Sequence, residues 1–285
     1  MDLRINAMAA AVGDYDNNGF LDYFVTNIKF NRFMVNQGVG KPYRDMSKEL
    51  GMSMFTISWG ANWADFDQDG DLDLFVANGD LNPNCVPMGD FLFENMDGKF
   101  QDNARAAGVN DYGMGRGSVV FDLENDGDMD LLVVNQKPIK DYPMPSMTKL
   151  FRNDSTHGNW LKVALAGVEA EKHGIGSRVK IVVGNTQMIR EIDGGGSSHL
   201  SQNSTIAHFG LGSATVVDSV IVTWSGGNRQ VLLNQSANQL LTITEVPMAK
   251  KENRLVLYTS LSVAALLLLF FLIKNQLAAK RSLNI

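Results

Sequence analysis

Three stretches of this 285-residue chain share one pattern of oxygen-bearing side chains. They start at Asp14, Asp65 and Asp122 and read DYDNNGFLDYFVTN, DFDQDGDLDLFVAN and DLENDGDMDLLVVN. We call them the first, second and third loops. Their starts are 51 and then 57 residues apart, which indicates a repeat architecture. In each loop, oxygen-bearing side chains occupy positions 1, 3, 5 and 9, and glycine occupies position 6.

This spacing predicts a calcium site in each loop, and so up to three Ca²⁺ ions. Calcium takes about 6–8 oxygen ligands at roughly 2.3–2.6 Å, so a short loop must turn around the ion and present alternate side chains inward. The glycine permits a backbone reversal that a Cβ would resist, and the backbone carbonyl at position 7 can add a ligand. Mg²⁺ fits less well, because it prefers octahedral geometry and keeps several waters. The predicted ligands are Asp14, Asp16, Asn18, Phe20 and Asp22; Asp65, Asp67, Asp69, Asp71 and Asp73; and Asp122, Glu124, Asp126, Asp128 and Asp130.

Two other loop types share part of this pattern, the EF-hand and the plain hairpin turn. An EF-hand requires a bidentate Glu at position 12, where this chain has Val25, Val76 and Val133. The apolar runs YFVTN, LFVAN and LLVVN that follow are typical of strands, so each loop is predicted to lie between two strands. The remaining alternative is an Asp-Gly hairpin turn that binds no ion. Such a turn needs one Asp-Gly pair, not four ligand-spaced oxygens in three copies.

The repeated units resemble the FG-GAP/VCBS-type repeats of integrin-like β-propellers, in which each blade carries one such calcium loop. Gly60 and Gly117 each lie five residues before the first ligand, and Ala9 takes that place in the first copy. The segments 31–38, 90–100 and 148–154 resemble the outer strand and turn of a blade. The resemblance implies a partial β-propeller of three calcium-loop blades over residues 1–155.

Propellers typically contain 4–8 blades, so three copies predict further blades supplied by a longer protein or by another chain. Residues 1–13 lack the apolar core of a secretory signal, which favours a missing N-terminal region. The pieces 46–52 and 103–109 are predicted to form short helical turns that end at Gly51 and Gly108.

Residues 156–247 predict a second all-β unit, a small sandwich or barrel. Its predicted strands cover 159–167, 178–184, 187–192, 218–224, 229–234 and 239–245. The segments HGIGSRV (173–179), DGGGSSHLSQ (193–202), HFGLG (208–212) and VTWSGG (222–227) resemble the ASPIC/UnbV domain that follows such repeats in the cartilage acidic protein family and its bacterial relatives. Ser225 stands where that family commonly has proline, which affects only the local turn.

The C-terminal part predicts a membrane anchor. Residues 255–273 are 19 residues without a charge, bracketed by Arg254 and Lys274. At about 1.5 Å per residue they match the roughly 30 Å hydrocarbon core of a bilayer. Residues 248–254 form a linker and 274–285 a predicted cytoplasmic tail. Three basic residues flank each side, so charge does not decide the orientation. Weak calcium modules are typical outside cells, which favours a single-pass protein with its bulk extracytoplasmic.

The charge distribution argues against a nucleic-acid-binding protein, and the cysteine content excludes an intrachain disulfide. The net charge is −6, and the three loops alone hold 13 acidic side chains. Acidity is therefore concentrated where cations are expected, and no clustered basic patch predicts a nucleic-acid face. A single cysteine, Cys85, cannot form an intrachain disulfide.

The predicted function is recognition or adhesion at the cell surface, with a glycan or protein as ligand and no enzymatic activity. The candidates to meet a ligand are Trp59, Trp63, Tyr112 and Arg116, for which packing roles are the alternative. One rival function is a polysaccharide-active or other extracellular enzyme using Asp71 and Asp128. Another is a passive membrane scaffold. A catalytic triad drawn from His173, His199, His208, Arg178 and Ser201 lacks any accompanying HExxH, GxSxG or CxxC motif.

Overall fold

The computed structural model describes residues 5–80, 86–139, 141–154, 158–195, 198, 200–248, 266–269, 272 and 274. The described residues between 5 and 248 form an all-β fold. The strands are β1 (Ala10–Gly13), β2 (Asp22–Val25), β3 (Ile28–Phe30), β4 (Arg32–Val35), β5 (Arg44–Asp45), β6 (Phe55–Ala64), β7 (Asp73–Asn78), β8 (Phe91–Met96), β9 (Lys99–Asp102), β10 (Met114–Phe121), β11 (Asp130–Gln136), β12 (Lys149–Phe151), β13 (Asn159–Ala166), β14 (Arg178–Val183), β15 (Thr186–Glu191), β16 (Ala207–Gly212), β17 (Val216–Thr223), β18 (Arg229–Ser236) and β19 (Gln239–Thr244).

Each repeat forms one antiparallel sheet. The strand orders are β1-β2-β4-β5, then β3-β6-β7-β8-β9, then β10-β11-β12. The first loop joins β1 to β2, the second joins β6 to β7, and the third joins β10 to β11. The prediction that every loop lies between two paired strands is therefore confirmed. The three predicted outer segments are also strands, since they contain β4, β8 with β9, and β12.

Apolar side chains between neighbouring sheets hold the repeats together. Strand β7 (DLFVAN) is buried at every position, as expected for a central strand covered on both faces. Its Leu74 and Val76 join the core that contains Phe24 and Phe33 of the first repeat. On the other face, Phe75 and Ala77 pack into a core shared with the third repeat. The second repeat is thus the middle layer.

The repeated glycine of β6 has a packing reason. A Cβ at Gly60 would lie 2.9 Å from the backbone nitrogen of Ser118 on β10. Close to this point, the Asn62 Nδ2 atom donates to Ser118 Oγ at 2.5 Å. The two strands approach so closely that only glycine fits between them.

Both predicted helical turns are confirmed as single turns. Leu50 N donates to Met46 O at 3.0 Å, and Ala107 N donates to Asn103 O at 3.0 Å. Each turn ends at a glycine with left-handed backbone: Gly51 has φ 80° and Gly108 has φ 74°. This is the usual way for glycine to stop a helical turn.

Strands β13–β19 form a sandwich of two sheets, ordered β16-β13-β19 and β15-β14-β17-β18. Its core includes the fully buried side chains of Trp224, Phe209 and Ile181. All six predicted strands are present, together with a seventh, β16, whose sequence AHFGLG alternates apolar residues with histidine and glycine; the two glycines disfavour a strand in sequence reasoning. Ser225 N donates to Ser177 Oγ at 3.1 Å, a hydrogen bond that proline at this position would remove.

The chain divides into two compact units, Met1–Pro247 and Met248–Ile285. In the second unit, the described residues 266–269, 272 and 274 are helical. The rest of the predicted membrane segment 255–273 lies outside the described residues. Among those that are described, no helix has both the length and the apolar character needed to cross a bilayer.

Candidate metal-binding loops

The three loops have the same backbone conformation. At position 4, Asn17, Gln68 and Asn125 all adopt left-handed φ values of 54°, 61° and 62°. Glycine at position 6 also has positive φ in each copy, from 88° to 102°. Asparagine tolerates this region better than most side chains, and glycine adopts it without a Cβ penalty. Sequence spacing and backbone geometry therefore repeat together.

The first carboxylate of each loop shapes the turn. Asp14, Asp65 and Asp122 each accept a hydrogen bond on Oδ2 from the position 6 glycine N–H, at 2.9, 3.0 and 2.9 Å. At position 5, Asp69 and Asp126 accept the position 7 N–H at 2.8 and 3.1 Å. These bonds turn the side chains of positions 1 and 5 into the loop.

Two loops bring three carboxylates together. The groups are Asp14, Asp16 and Asp22 in the first loop, and Asp65, Asp67 and Asp69 in the second; each has oxygens within 4.8 Å of one another. In the second loop, Asp65 Oδ1 is buried and has no hydrogen-bond partner within the described part of the chain. A buried acceptor of this kind needs an ion or a water molecule to satisfy it. The residues of the second loop therefore fit a calcium ion.

Burial raises the pKa values of these carboxyls. Desolvation raises the pKa of Asp14 to about 6 and the pKa values of Asp22 and Asp65 to about 7. The nearby Arg190 guanidinium opposes the shift at Asp65, and burial in turn lowers the pKa of Arg190. A divalent cation would favour the ionised carboxylates that burial disfavours.

The position 9 carboxylates have a structural task that spacing alone did not indicate. Asp22, Asp73 and Asp130 are buried, and each accepts backbone N–H groups on both oxygens. One donor is position 2 of the same loop, and the other is an asparagine near the end of the outer strand or just after it. The donors are Tyr15 (3.5 Å) and Asn36 (2.7 Å), Phe66 (3.1 Å) and Asn95 (2.8 Å), and Leu123 (2.7 Å) and Asn153 (2.9 Å). Position 9 thus ties each loop to its outer strand.

Position 4 amides connect consecutive loops. Asn17 Nδ2 donates to Gly70 O at 3.2 Å and to Asp71 Oδ1 at 2.9 Å. In the same way, Gln68 Nε2 donates to Gly127 O at 3.0 Å and to Asp128 Oδ1 at 2.6 Å. The amide side chain at position 4 of every copy is visible in the sequence, but its contact with the next loop was not predicted from it.

The C-terminal sandwich packs on the second and third loops. Gly210 N donates to Asp65 Oδ2 at 3.0 Å, and Gly212 N donates to Gln68 O at 2.8 Å. On the third loop, His208 Nε2 lies 2.8 Å from Gly127 O and Lys162 Nζ lies 2.6 Å from Asp122 Oδ2. The surroundings of the loops therefore include residues of the sandwich that are distant in sequence. Lys162 is 40 positions from Asp122, and Gly210 is 145 positions from Asp65.

The remaining sequence candidates do not form one site. Arg116 stacks on Trp59 at 4.4 Å and donates to Gly79 O at 3.0 Å, and Trp63 packs on Phe33 with ring centroids 5.5 Å apart. Tyr112 is exposed and accepts a hydrogen bond on its carbonyl from Tyr142.

Among the proposed triad residues, Arg178 pairs with Glu191, His208 contacts Gly127 O, and His173 is exposed. Ser201 forms an isolated bridge with Ser198. His199 and Cys85 lie outside the described residues.

His208 predicts an acid-sensitive contribution to stability. Burial lowers its pKa from 6.5 to about 4. Because the unfolded chain binds a proton below about 6.5 and the folded chain does not until about 4, the stabilisation is complete above pH 6.5 and is lost as pH falls to 4. At 1.36 kcal/mol per pKa unit, the loss is about 3 kcal/mol.

The measurement is urea unfolding of the native chain and of His208→Gln at pH 7 and pH 4. Glutamine keeps a donor for Gly127 O but does not titrate in this range. The stability of the native chain relative to His208→Gln should fall by about 3 kcal/mol between the two pH values. A constant difference would mean that His208 does not titrate differently in the two states.

Fold and loops together define a class: an all-β protein of loop-bearing repeats followed by a β-sandwich, and two family profiles match these two parts. The family profile described as FG-GAP-like repeat matches residues 14–76 and 65–133, and the profile described as ASPIC and UnbV matches residues 167–250. The matched repeat ranges start at Asp14 and Asp65, the first carboxylates of the first and second loops.

Two curated relatives align with the chain. Cartilage acidic protein 1 of Homo sapiens is 30% identical over 202 residues, and that of Mus musculus is 29% identical over 202 residues. The aligned part is 67% of this chain but 28% and 29% of those proteins. The chain thus spans less than a third of the length of the curated relatives that it matches.

Proposed function

We propose that the chain is an extracytoplasmic, membrane-anchored recognition protein whose repeats are propeller blades stabilised by calcium. The observation that carries the calcium proposal is the second loop, where Asp65, Asp67 and Asp69 converge and Asp65 Oδ1 has no hydrogen-bond partner in the described part of the chain. The first loop offers a similar group of carboxylates. Their role is structural, since metal binding at a turn between strands couples to the folding of each sheet.

The ligand is proposed to be a glycan or a protein. FG-GAP-like repeats and an ASPIC and UnbV domain support an adhesion-type role. We propose the domain limits 1–155 and 156–247 for these two parts. Further blades from additional sequence would complete the propeller. Anchoring through residues 255–273 is supported by Leu266–Leu269 and Leu272, which are helical and each more than half exposed within their unit.

A hydrolytic role is less well supported. The spare acids that would serve it, Asp71 and Asp128, accept hydrogen bonds from Asn17 and Gln68 of the preceding loop. Both carboxylates therefore already have a structural partner, and a general acid needs to reach its substrate.

Calcium titration by calorimetry tests the proposal, with two variants of the second loop as a matched pair. Asp67 at position 3 accepts a long backbone hydrogen bond, 3.3 Å from Asp69 N, whereas Asp73 at position 9 accepts two backbone N–H groups. Asp67→Ala should remove one bound calcium and leave the stability in EDTA within about 0.5 kcal/mol of the native chain.

Asp73→Asn should lower stability even in EDTA, by about 1–3 kcal/mol, because an amide N–H₂ then faces backbone donors. Urea unfolding in EDTA measures this difference. A chain that binds no calcium would overturn the proposed function. Equal loss of stability in the two variants would contradict the separate tasks of positions 3 and 9.

A further inference from the structure

The third loop has the carboxylates of a calcium site but a different arrangement. Within the described residues, groups of three acidic side chains with oxygens inside 4.8 Å of one another occur in the first and second loops, and the acids of the third loop do not form one. All of its ligand positions, from Asp122 to Asp130, belong to the described part of the chain. The difference is therefore a property of this loop.

A lysine side chain lies at the third loop instead. Lys162 Nζ is 2.6 Å from Asp122 Oδ2 and 3.2 Å from Asn125 Oδ1. The side chains of Lys162 and Asp122 are each only 4% exposed. The ammonium therefore contacts the position 1 carboxylate and the position 4 amide together, and water is largely excluded from the pair.

The hydrogen bonds of Asp122 complete the contrast with the second loop. Its Oδ1 accepts from Asp126 N at 3.1 Å, and its Oδ2 accepts from Gly127 N at 2.9 Å as well as from Lys162. In the second loop, the equivalent Asp65 has one oxygen without a partner, as shown above. Neither the third loop nor the first has a buried carboxylate oxygen without a partner within the described residues, so what sets the third loop apart from both is the ammonium beside Asp122.

Lys162 is held in this place by its own strand and by the neighbouring strand. It lies on β13 directly opposite His208 of β16, and the His208 ring contacts Gly127 O of the same loop. The Lys162 ammonium also lies 5.2 Å from the centre of the Trp160 ring. The adjacent strands β13 and β16 thus contact the third loop through two side chains, the charged Lys162 and the neutral His208.

We propose that Lys162 replaces calcium in the third loop, so that the chain carries two calcium sites and one internal ammonium site. This inference rests on the proposed calcium function of the first two loops. A divalent ion a few ångströms from a buried ammonium would be strongly repelled, and it would have to displace Lys162 from the position 1 carboxylate. The sandwich therefore stays joined to the third repeat by a contact that chelators do not remove.

Position 3 alanine variants of the full chain test this assignment. Asp16, Asp67 and Glu124 hold the same position in the three loops, and none of them is buried. Equilibrium dialysis against calcium should show one ion fewer for Asp16→Ala and for Asp67→Ala, and no change for Glu124→Ala. Loss of a calcium ion in Glu124→Ala would overturn the inference while leaving the proposed function intact.

Lys162→Met provides the converse test, because methionine keeps the length of the side chain and removes the charge. This variant should bind one calcium ion more than the native chain, and Glu124→Ala in the same background should remove it. Its melting temperature should be below that of the native chain in EDTA and should rise further on addition of calcium than that of the native chain. An unchanged calcium count in a folded Lys162→Met variant would overturn the inference. A native chain that binds no calcium would overturn the proposed function, and this inference with it.

Discussion

Addition of saturating calcium to the metal-free chain should raise its melting temperature by about 10–20 °C. At a free concentration about 100 times the dissociation constant, each site that exists only in the folded state adds about 2.7 kcal/mol. Two sites then add about 5 kcal/mol, and in proteins of this size 1 kcal/mol corresponds to about 2–4 °C. The rise in melting temperature comes from the two groups of carboxylates around Asp14 and Asp65. Burial raises the pKa values of these two carboxyls, which reflects the free-energy cost of ionising them without a cation nearby.

Differential scanning calorimetry in EDTA, in calcium and in magnesium checks this expectation. Magnesium should give a much smaller rise, because flexible carboxylate loops do not supply the rigid octahedral geometry that it prefers. The double variant Asp16→Ala with Asp67→Ala is the matched control and should lose most of the calcium response. If calcium and magnesium raise the melting temperature equally, or if the double variant keeps the full rise, then the rise does not come from calcium bound at these loops.

Substitution of Gly210 by alanine should cost about 3 kcal/mol or more. A Cβ at this position would lie 2.1 Å from Asp65 Oδ2 and 2.6 Å from the Cα of Gln68. Both neighbours are buried, and Gln68 is further fixed by its hydrogen bonds to the third loop. Because backbone and a buried carboxylate cannot move aside, the overpacked variant must separate β16 from the second loop.

Gly226→Ala is the control for this variant, since a Cβ there meets nothing within 4 Å and its φ is not in the left-handed region. It should change stability by no more than about 0.5 kcal/mol. Thermal unfolding should therefore separate the two alanine variants by about 6–12 °C. The calcium response of Gly210→Ala should also fall, because Gly210 N no longer orients Asp65. Similar melting temperatures for the two variants would contradict the packing of the sandwich on the second loop.

Local features of this protein follow from its sequence. The spacing of Asp65, Asp67, Asp69 and Gly70 implies a tight loop between two strands, because left-handed glycine and alternating inward side chains are consequences of covalent geometry over a few residues. The outer strands and six strands of the sandwich follow from β-type alternation in the same way. The hydrogen bond that Asp122 accepts from the Lys162 ammonium could not be predicted from local spacing, because Lys162 lies 40 residues away in the sequence.

Tertiary structure decided which loop oxygens are available to a metal ion. By sequence, Asp65 and Asp122 are equivalent first ligands, yet Gly210 and Lys162 of the sandwich give them different surroundings. The distinction depends on contacts over long sequence separations, whose partners are set by the packing of whole sheets rather than by local preference. In the sequence, Lys162 is one lysine within the predicted strand NWLKVALA, and nothing local indicates its contact with the third loop. What the sequence determined was the form of each loop; what the packing of the sandwich decided was which charge lies beside it.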